Sequence, residues 1–183
     1  MSFVSRNHPQ QVKVRGALSS VDDRGTDPAL FAALNERFRF TIDIAASWQN
    51  KKLQRYRSEK YAITGLNCSW AMERVWCNPP YSNIRGWLEK AWGEWSLRAE
   101  GDYLGPELIV MLLPANRTEQ AWWQDLVEPY RDRPGLTSLT VEFLRGRQRF
   151  VAPGAESIGP NERPPFGCCL LIWESPSNSV RQP

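Results

Sequence analysis

The chain has 183 residues, 42% of them hydrophobic, enough for one domain with a sizeable core. Its formal net charge of +3 is too mild to argue by itself for a nucleic-acid partner or against one. No apolar run approaches the roughly 18–20 residues that cross a bilayer, so no membrane partner is expected. The opening MSFVSRNHPQQVKVRG lacks the apolar stretch of a signal peptide, which makes the expected location cytoplasmic.

The cysteines Cys68, Cys77, Cys168 and Cys169 show neither disulfide nor zinc spacing. They read as reduced, mostly buried thiols, with Cys168 and Cys169 pointing to opposite faces of a strand. The single histidine, His8, leaves almost no material for a His-based metal site or a catalytic triad, so no metal ligands are assigned. Nine tryptophans are many for this length. They can pack a core or offer stacking surfaces to bases.

Residues 1–25 are polar, basic and aperiodic and read as a flexible arm, residues 26–175 as the domain, and 176–183 as a tail. A helix is predicted after Asp27, which can cap it, with Pro28 in its first turn and Leu30, Phe31, Leu34 and Phe38 on one face. Phe40-Thr41-Ile42-Asp43-Ile44 reads as a strand with Phe40, Ile42 and Ile44 on one side. The irregular stretch 47–73 carries Lys51, Lys52, Arg55, Arg57 and Lys60. A short strand, Val75–Cys77, then runs into Asn78-Pro79-Pro80-Tyr81.

Beyond this NPPY, Ser82 or Asn83 can cap a helix whose apolar positions are Ile84, Trp87, Leu88, Ala91, Trp92 and Trp95. LIVMLL at 108–113 is a continuous apolar run, the mark of a strand buried on both faces. Asn116 and Glu119 resemble a capping box opening a helix to about Glu128. Two strand-like runs, Leu139–Leu144 and Cys169–Trp173, flank RGRQRF and a Pro/Gly-rich stretch, Pro153–Gly167. Such alternation fits an α/β sheet with parallel central strands, which binds ligands at the carboxyl ends of its strands. Asp43 and Asn78 each stand at such an end.

NPPY carries a specific chemistry there. An exocyclic amine on a purine is planar because its lone pair is delocalised into the ring. It becomes a nucleophile only when it pyramidalises, and two acceptors on its hydrogens favour that change, as preorganised dipoles favour any developing charge. The Asn78 side-chain carbonyl and the Pro79 backbone carbonyl can be those acceptors. Proline holds the loop rigid, and the Tyr81 ring can stack on a base that has left its duplex. No strong general base is needed.

NPPY matches the catalytic motif of amino-directed methyltransferases that use S-adenosylmethionine. More of the chain, about residues 25–173, resembles the phage-type DNA N6-adenine methyltransferases (Dam-like). The likeness runs through DPALFAALNERF, FTIDIAAS, YAITGLNCSW, WCNPPYSNIRGWLEKA, VMLLPANRTEQAWW, FLRGRQRF and PPFGCCLLIW. It implies a Rossmann-like class I methyltransferase fold, compact, with a mostly parallel central sheet and helices on both faces. It also implies bound S-adenosylmethionine, adenine in double-stranded DNA as acceptor, and a phage or prophage origin in a bacterial host.

Carried over by position, Asn78, Pro79, Pro80 and Tyr81 form the catalytic loop. Asp43, Ile44, Ala45 and Ala46 fall where the first strand meets the cofactor, and Thr26, Asp27 and Pro28 near its methionine end. Gly146 and Arg147 match the family's Gly-Arg pair. Asp27 stands where the family commonly has proline, and Ser69 where an aspartate is expected before Trp70. Arg145, Arg147 and Arg149 alternate, as on one face of a strand, and read equally as phosphate contacts or a solvated basic face. Asp43 reads as a cofactor ligand or as a residue that simply binds a loop. An NPPY loop also serves enzymes acting on RNA amines or glutamine amides, and a catalytically silent DNA-binding relative is a further reading. Site-specific contacts are expected from residues 47–73 and 145–166.

Overall fold

The computed structural model describes residues 22–99, 104–133, 138–152, 155 and 166–175. In chain order the elements are β1 (Gly25–Thr26), α1 (Pro28–Phe38), β2 (Ile42–Asp43), β3 (Arg74–Cys77), α2 (Ile84–Ala99), β4 (Leu108–Pro114), α3 (Ala121–Leu126), β5 (Leu139–Phe143), β6 (Phe150–Val151) and β7 (Cys168–Glu174). A 3-10 turn, Tyr81–Asn83, leads into α2. Most of the expected arm, residues 1–21 with His8, lies outside the described residues, as do the tail 176–183 and most of Pro153–Gly167. Residues 22–25 already belong to the body, since Gly25 pairs in β1.

Helix α1 starts as its sequence predicts. Asp27 Oδ1 accepts the Ala29 amide at 2.8 Å, and Pro28 fills the first turn, where a missing N–H costs nothing. Phe31, Leu34 and Phe38 are buried. The helix ends at Arg39, which takes the left-handed conformation with φ 52°. That turn delays the strand to Ile42, so the expected alternation does not reach back to Phe40. Ile42 and Ile44 enter one core cluster, while Phe40 packs with Phe31, Phe38 and Trp76 in the other.

Five strands form one sheet in the order β2-β3-β4-β7-β5. The ladders β2–β3 and β3–β4 are parallel, whereas β4–β7 and β7–β5 are antiparallel. The sheet is therefore mixed rather than mostly parallel. Parallel neighbours need a long crossover, usually a helix. Among the described residues no helix stands between β5 and β7, and they pair antiparallel. Residues 55–57 lengthen the outer edge: Asp43 N donates to the Arg55 carbonyl at 3.0 Å and Arg57 N to the Asp43 carbonyl at 2.9 Å.

The run LIVMLL behaves as its composition dictates, every residue being buried. Ile109, Met111 and Leu113 share a cluster with Ile84, Trp87, Leu88, Ala91 and Trp95 of α2 and with Trp122 and Trp123 of α3. Leu108, Val110 and Leu112 join α1 in the second cluster. Cys168 and Cys169 divide in the same way, one to each cluster, and all four cysteines are free thiols. No helix among the described residues is long and apolar enough to cross a membrane.

Two helix starts differ from expectation. Neither Ser82 nor Asn83 caps α2, because the chain winds into it through the 3-10 turn after Pro80. Asn116 and Glu119 do not form a capping box. The Ala115 amide is drawn to the Gly167 carbonyl at 2.9 Å, and α3 opens only at Ala121, after Gln120.

Candidate functional site

Parallel pairing brings the carboxyl ends of β2 and β3 side by side, with Asp43 registered on Trp76 and Ile44 N donating to the Trp76 carbonyl at 2.9 Å. A cleft of about 180 Å³, part of it open to solvent, sits at these ends. Thr26, Asp43, Ala45 and Asn78 line it, together with Gly25, Asn50, Lys52 and Trp76. Strand β1 is delivered there by its two-residue antiparallel ladder with β6.

Asp43 is 3% exposed. Burial pushes its carboxyl up to about 6, while the Lys52 and Ala45 amides and the Lys52 charge pull the other way. The Lys52 amide donates to Asp43 Oδ2 at 2.9 Å. Burial lowers the Lys52 ammonium, and the charges of Asp43 and Asp27 partly restore it. Thr26 Oγ1, in the cleft lining, and Ser47 Oγ nearby are buried without a hydrogen-bond partner among the described residues, an unusual condition for enclosed hydroxyls.

Asn50 ties the turn after β2 to the residues before α1. Its Oδ1 accepts the Ser47 amide at 2.7 Å, and its Nδ2 donates to Asp23 Oδ1 at 2.8 Å. Asn78, at the end of β3, donates Nδ2 to the Arg24 carbonyl at 3.2 Å. Among the described residues, neither Asn78 Oδ1 nor the Pro79 carbonyl accepts a protein hydrogen bond.

The rest of the loop is packed inward. Pro79 is buried. Tyr81 is half-buried, its ring 6.4 Å from Phe150 and 6.2 Å from Phe166. Its hydroxyl is enclosed, without a partner of good geometry, although the Cys168 thiol lies beside it. Burial above all, then Cys168 and Cys169, hold the phenol well above its ordinary value.

Not every residue expected at the site lines the cleft. Ile44 belongs to the core, and Ala46 is buried with its amide on the Arg57 carbonyl. Asp27 caps α1, while Pro28 is exposed at its start. Arg145, Arg147 and Arg149 are all exposed, but they lie in an irregular loop before β6, not on a strand. Gly146, with φ 74°, breaks the extended backbone that would align them. Asn50, Lys52, Gly25 and Trp76 line the cleft although the sequence assigned none of them to the cofactor. A small polar residue in a turn following a strand-end acid was the available signal.

The family model for DNA N-6-adenine-methyltransferase (Dam) matches residues 17–180. The chain belongs to the Dam family. That match spans every strand and helix of the described structure, including the cleft and the NPPY loop. No curated protein and no solved structure matches the chain. Family membership makes this a DNA N6-adenine methyltransferase at the level the family defines.

Proposed function

We propose that the chain is a class I, Rossmann-like methyltransferase that carries a methyl group from S-adenosylmethionine to the exocyclic amine of a flipped adenine in double-stranded DNA. One observation carries this reading. Asp43 and the NPPY loop end adjacent parallel strands and share a cleft, with the Asn78 side-chain oxygen and the Pro79 carbonyl accepting no hydrogen bond from the described residues.

The cleft has the chemistry to hold one end of the cofactor. Lys52 offers a cation, Asp43 an anion and Thr26 an unpartnered hydroxyl, a set complementary to the carboxylate and ammonium of an amino acid. The cleft is small and partly open to solvent, so the rest of the cofactor would lie beyond it. Ala45 would make room at the turn where a larger side chain would not.

S-adenosylmethionine supplies, when bound, a methyl carbon made electrophilic by its sulfonium. Asn78 Oδ1 and the Pro79 carbonyl accept the two amine hydrogens and favour the pyramidal nitrogen with its localised lone pair. The proton lost after transfer passes to water, so no side chain need be a strong base. Tyr81 and the prolines hold the loop, and the partly exposed Tyr81 ring is the surface for the displaced base. Arg145, Arg147 and Arg149 supply phosphate contacts. The Dam family match favours DNA over an RNA amine or a protein glutamine.

Transfer of labelled methyl from S-adenosylmethionine tests the reading. Label should enter adenine of double-stranded DNA, and Asn78→Ala should lower the rate by about 100-fold or more, as removal of a preorganised group does. Label in RNA or protein but not DNA, or an undiminished Asn78→Ala, would overturn it.

A further inference from the structure

The residues before α1 cross the candidate site and are fastened on both sides of it. Asp22 Oδ1 accepts the Ser82 amide at 3.3 Å. Asp23 accepts Asn50 Nδ2 at both its side chain, 2.8 Å, and its carbonyl, 3.2 Å. The Arg24 carbonyl accepts Asn78 Nδ2 at 3.2 Å. Gly25 and Thr26 then pair with Val151 and Phe150. Gly25 passes so close to Asn50 that an added Cβ would meet Asn50 Cβ at 3.3 Å. Successive residues are thus held by the NPPY loop, by the turn after β2 and by β6.

This arrangement settles the orientation of an ambiguous group. A primary amide has a donor end and an acceptor end that a half-turn exchanges. A backbone carbonyl only accepts, so the amide nitrogen of Asn78 must face Arg24 and its oxygen is left for another partner. With the amide turned over, an NH₂ group would confront the substrate amine, donor against donor. We propose that the Arg24 carbonyl is a positioning group, which the strap 22–26 holds against Asn78 so that the amide oxygen faces the substrate amine. The proposal deepens the reading of Asn78 as an acceptor and rests on it.

Asn78→Asp discriminates. An ionised carboxylate would set acceptor against acceptor at Arg24, whereas a neutral acid can donate to that carbonyl and keep its second oxygen as acceptor. Charged groups at this place are Asp43 and Lys52 in the cleft and Asp22, Asp23, Arg24 and Asp27 along the strap. The wild-type profile, which shares them, is therefore the reference. Relative to wild type, methylation by Asn78→Asp should rise about tenfold as pH falls from about 8 to about 5.5, the neutral acid making one hydrogen bond to the Arg24 carbonyl that the carboxylate replaces with a repulsion between acceptors. In carbon-13 spectra without substrate, the introduced carboxyl should titrate above the ordinary carboxylate range. Adding Asp23→Ala should return it to that range.

A flat ratio together with an ordinary titration overturns the proposal. A raised titration that Asp23→Ala relieves supports it even if Asn78→Asp is inactive at every pH. Should Asn78→Asp not fold, Asp23→Ala alone is decisive. It should lower kcat by about threefold to tenfold, with KM for DNA within about twofold, as loss of one positioning hydrogen bond predicts; an unchanged kcat overturns the proposal. Full activity in Asn78→Ala is a different failure, that of Asn78 as an acceptor.

Discussion

Gly65 lies directly against the Ile44 carbonyl: a Cβ at this position would stand 2.1 Å from that oxygen and 2.7 Å from Cη2 of Trp87. Neither neighbour can retreat. The Ile44 amide is bound to β3, and Trp87 is wedged between sheet and helix in the core. Gly65→Ala should therefore destabilise the fold by about 3 kcal/mol, the upper part of the overpacking range. For a chain of this size that lowers Tm by roughly 6–12 °C. Scanning calorimetry checks it, and a Tm within about 2 °C of wild type would mean that the loop moves aside freely. Because Ile44 follows Asp43, the same substitution should also weaken S-adenosylmethionine binding.

Glu94 anchors the other end of that loop. The carboxylate is 6% exposed, accepts the Trp70 amide at 2.7 Å and pairs with Lys90 at 2.5 Å. Ser69, standing where an aspartate was expected, is exposed and, among the described residues, accepts only the Ala71 amide, at 3.2 Å. Loop placement thus falls to Glu94 and to Trp70 Nε1, which donates to the Gly65 carbonyl at 2.8 Å. Glu94→Ala leaves a buried amide unpaired and an ammonium uncompensated, a loss of about 3 kcal/mol. Denaturant titration should show a lower midpoint with unchanged slope, whereas Ser69→Ala should match wild type within about 0.5 kcal/mol.

Patterns legible in the sequence were those that an element imposes on itself. LIVMLL had to be buried on both faces, and DPALFAALNERF had to cap and bury one stripe. The Asn116–Glu119 pair failed because Gly167, distant in sequence, captures the chain first. The arginine alternation failed because one positive-φ glycine decides the backbone. At the site, Asp43 and Asn78 were legible as strand ends. Their partners were not: Asn50 reaches Asp23 across 27 positions and Asn78 reaches Arg24 across 54. Polar contacts of that span leave no periodic trace, and the residues before α1 carry no apolar pattern to betray that they are held.

The exposed arginines 145, 147 and 149 give a prediction that separates phosphate contact from a solvated face. If each neutralises one phosphate, replacing all three by alanine should reduce the slope of log K against log salt by about 2.7, since each contact contributes about 0.9 on duplex DNA. Affinity should fall alike for target and non-target duplexes, because phosphates carry no sequence. Fluorescence anisotropy across a salt series measures both. An unaltered slope would assign these side chains to solvent.

Asp43 links the site to pH. Its carboxyl lies near 6 in the folded chain against 3.8 for an ordinary aspartate, so the folded state holds the proton more tightly than the unfolded state. The stabilising contribution is complete below about 3.8 and is lost as pH rises through about 6; above that, folding carries the cost of a buried carboxylate. A shift of this size corresponds to about 3 kcal/mol at most. Asp43→Asn removes the titrating group while keeping an oxygen for the Lys52 amide. Between about pH 4 and pH 6.5 its stability curve should be flatter than that of wild type, and near pH 8 it should be the more stable protein by about 1–3 kcal/mol, less whatever Lys52 loses as a partner. Urea midpoints at intervals across this range test the sign. The same variant should bind S-adenosylmethionine more weakly by calorimetry, since the charge that burdens the fold is the one offered to the ligand's ammonium. A gain in stability with no loss of binding would remove Asp43 from the cofactor site and leave it a loop-binding residue.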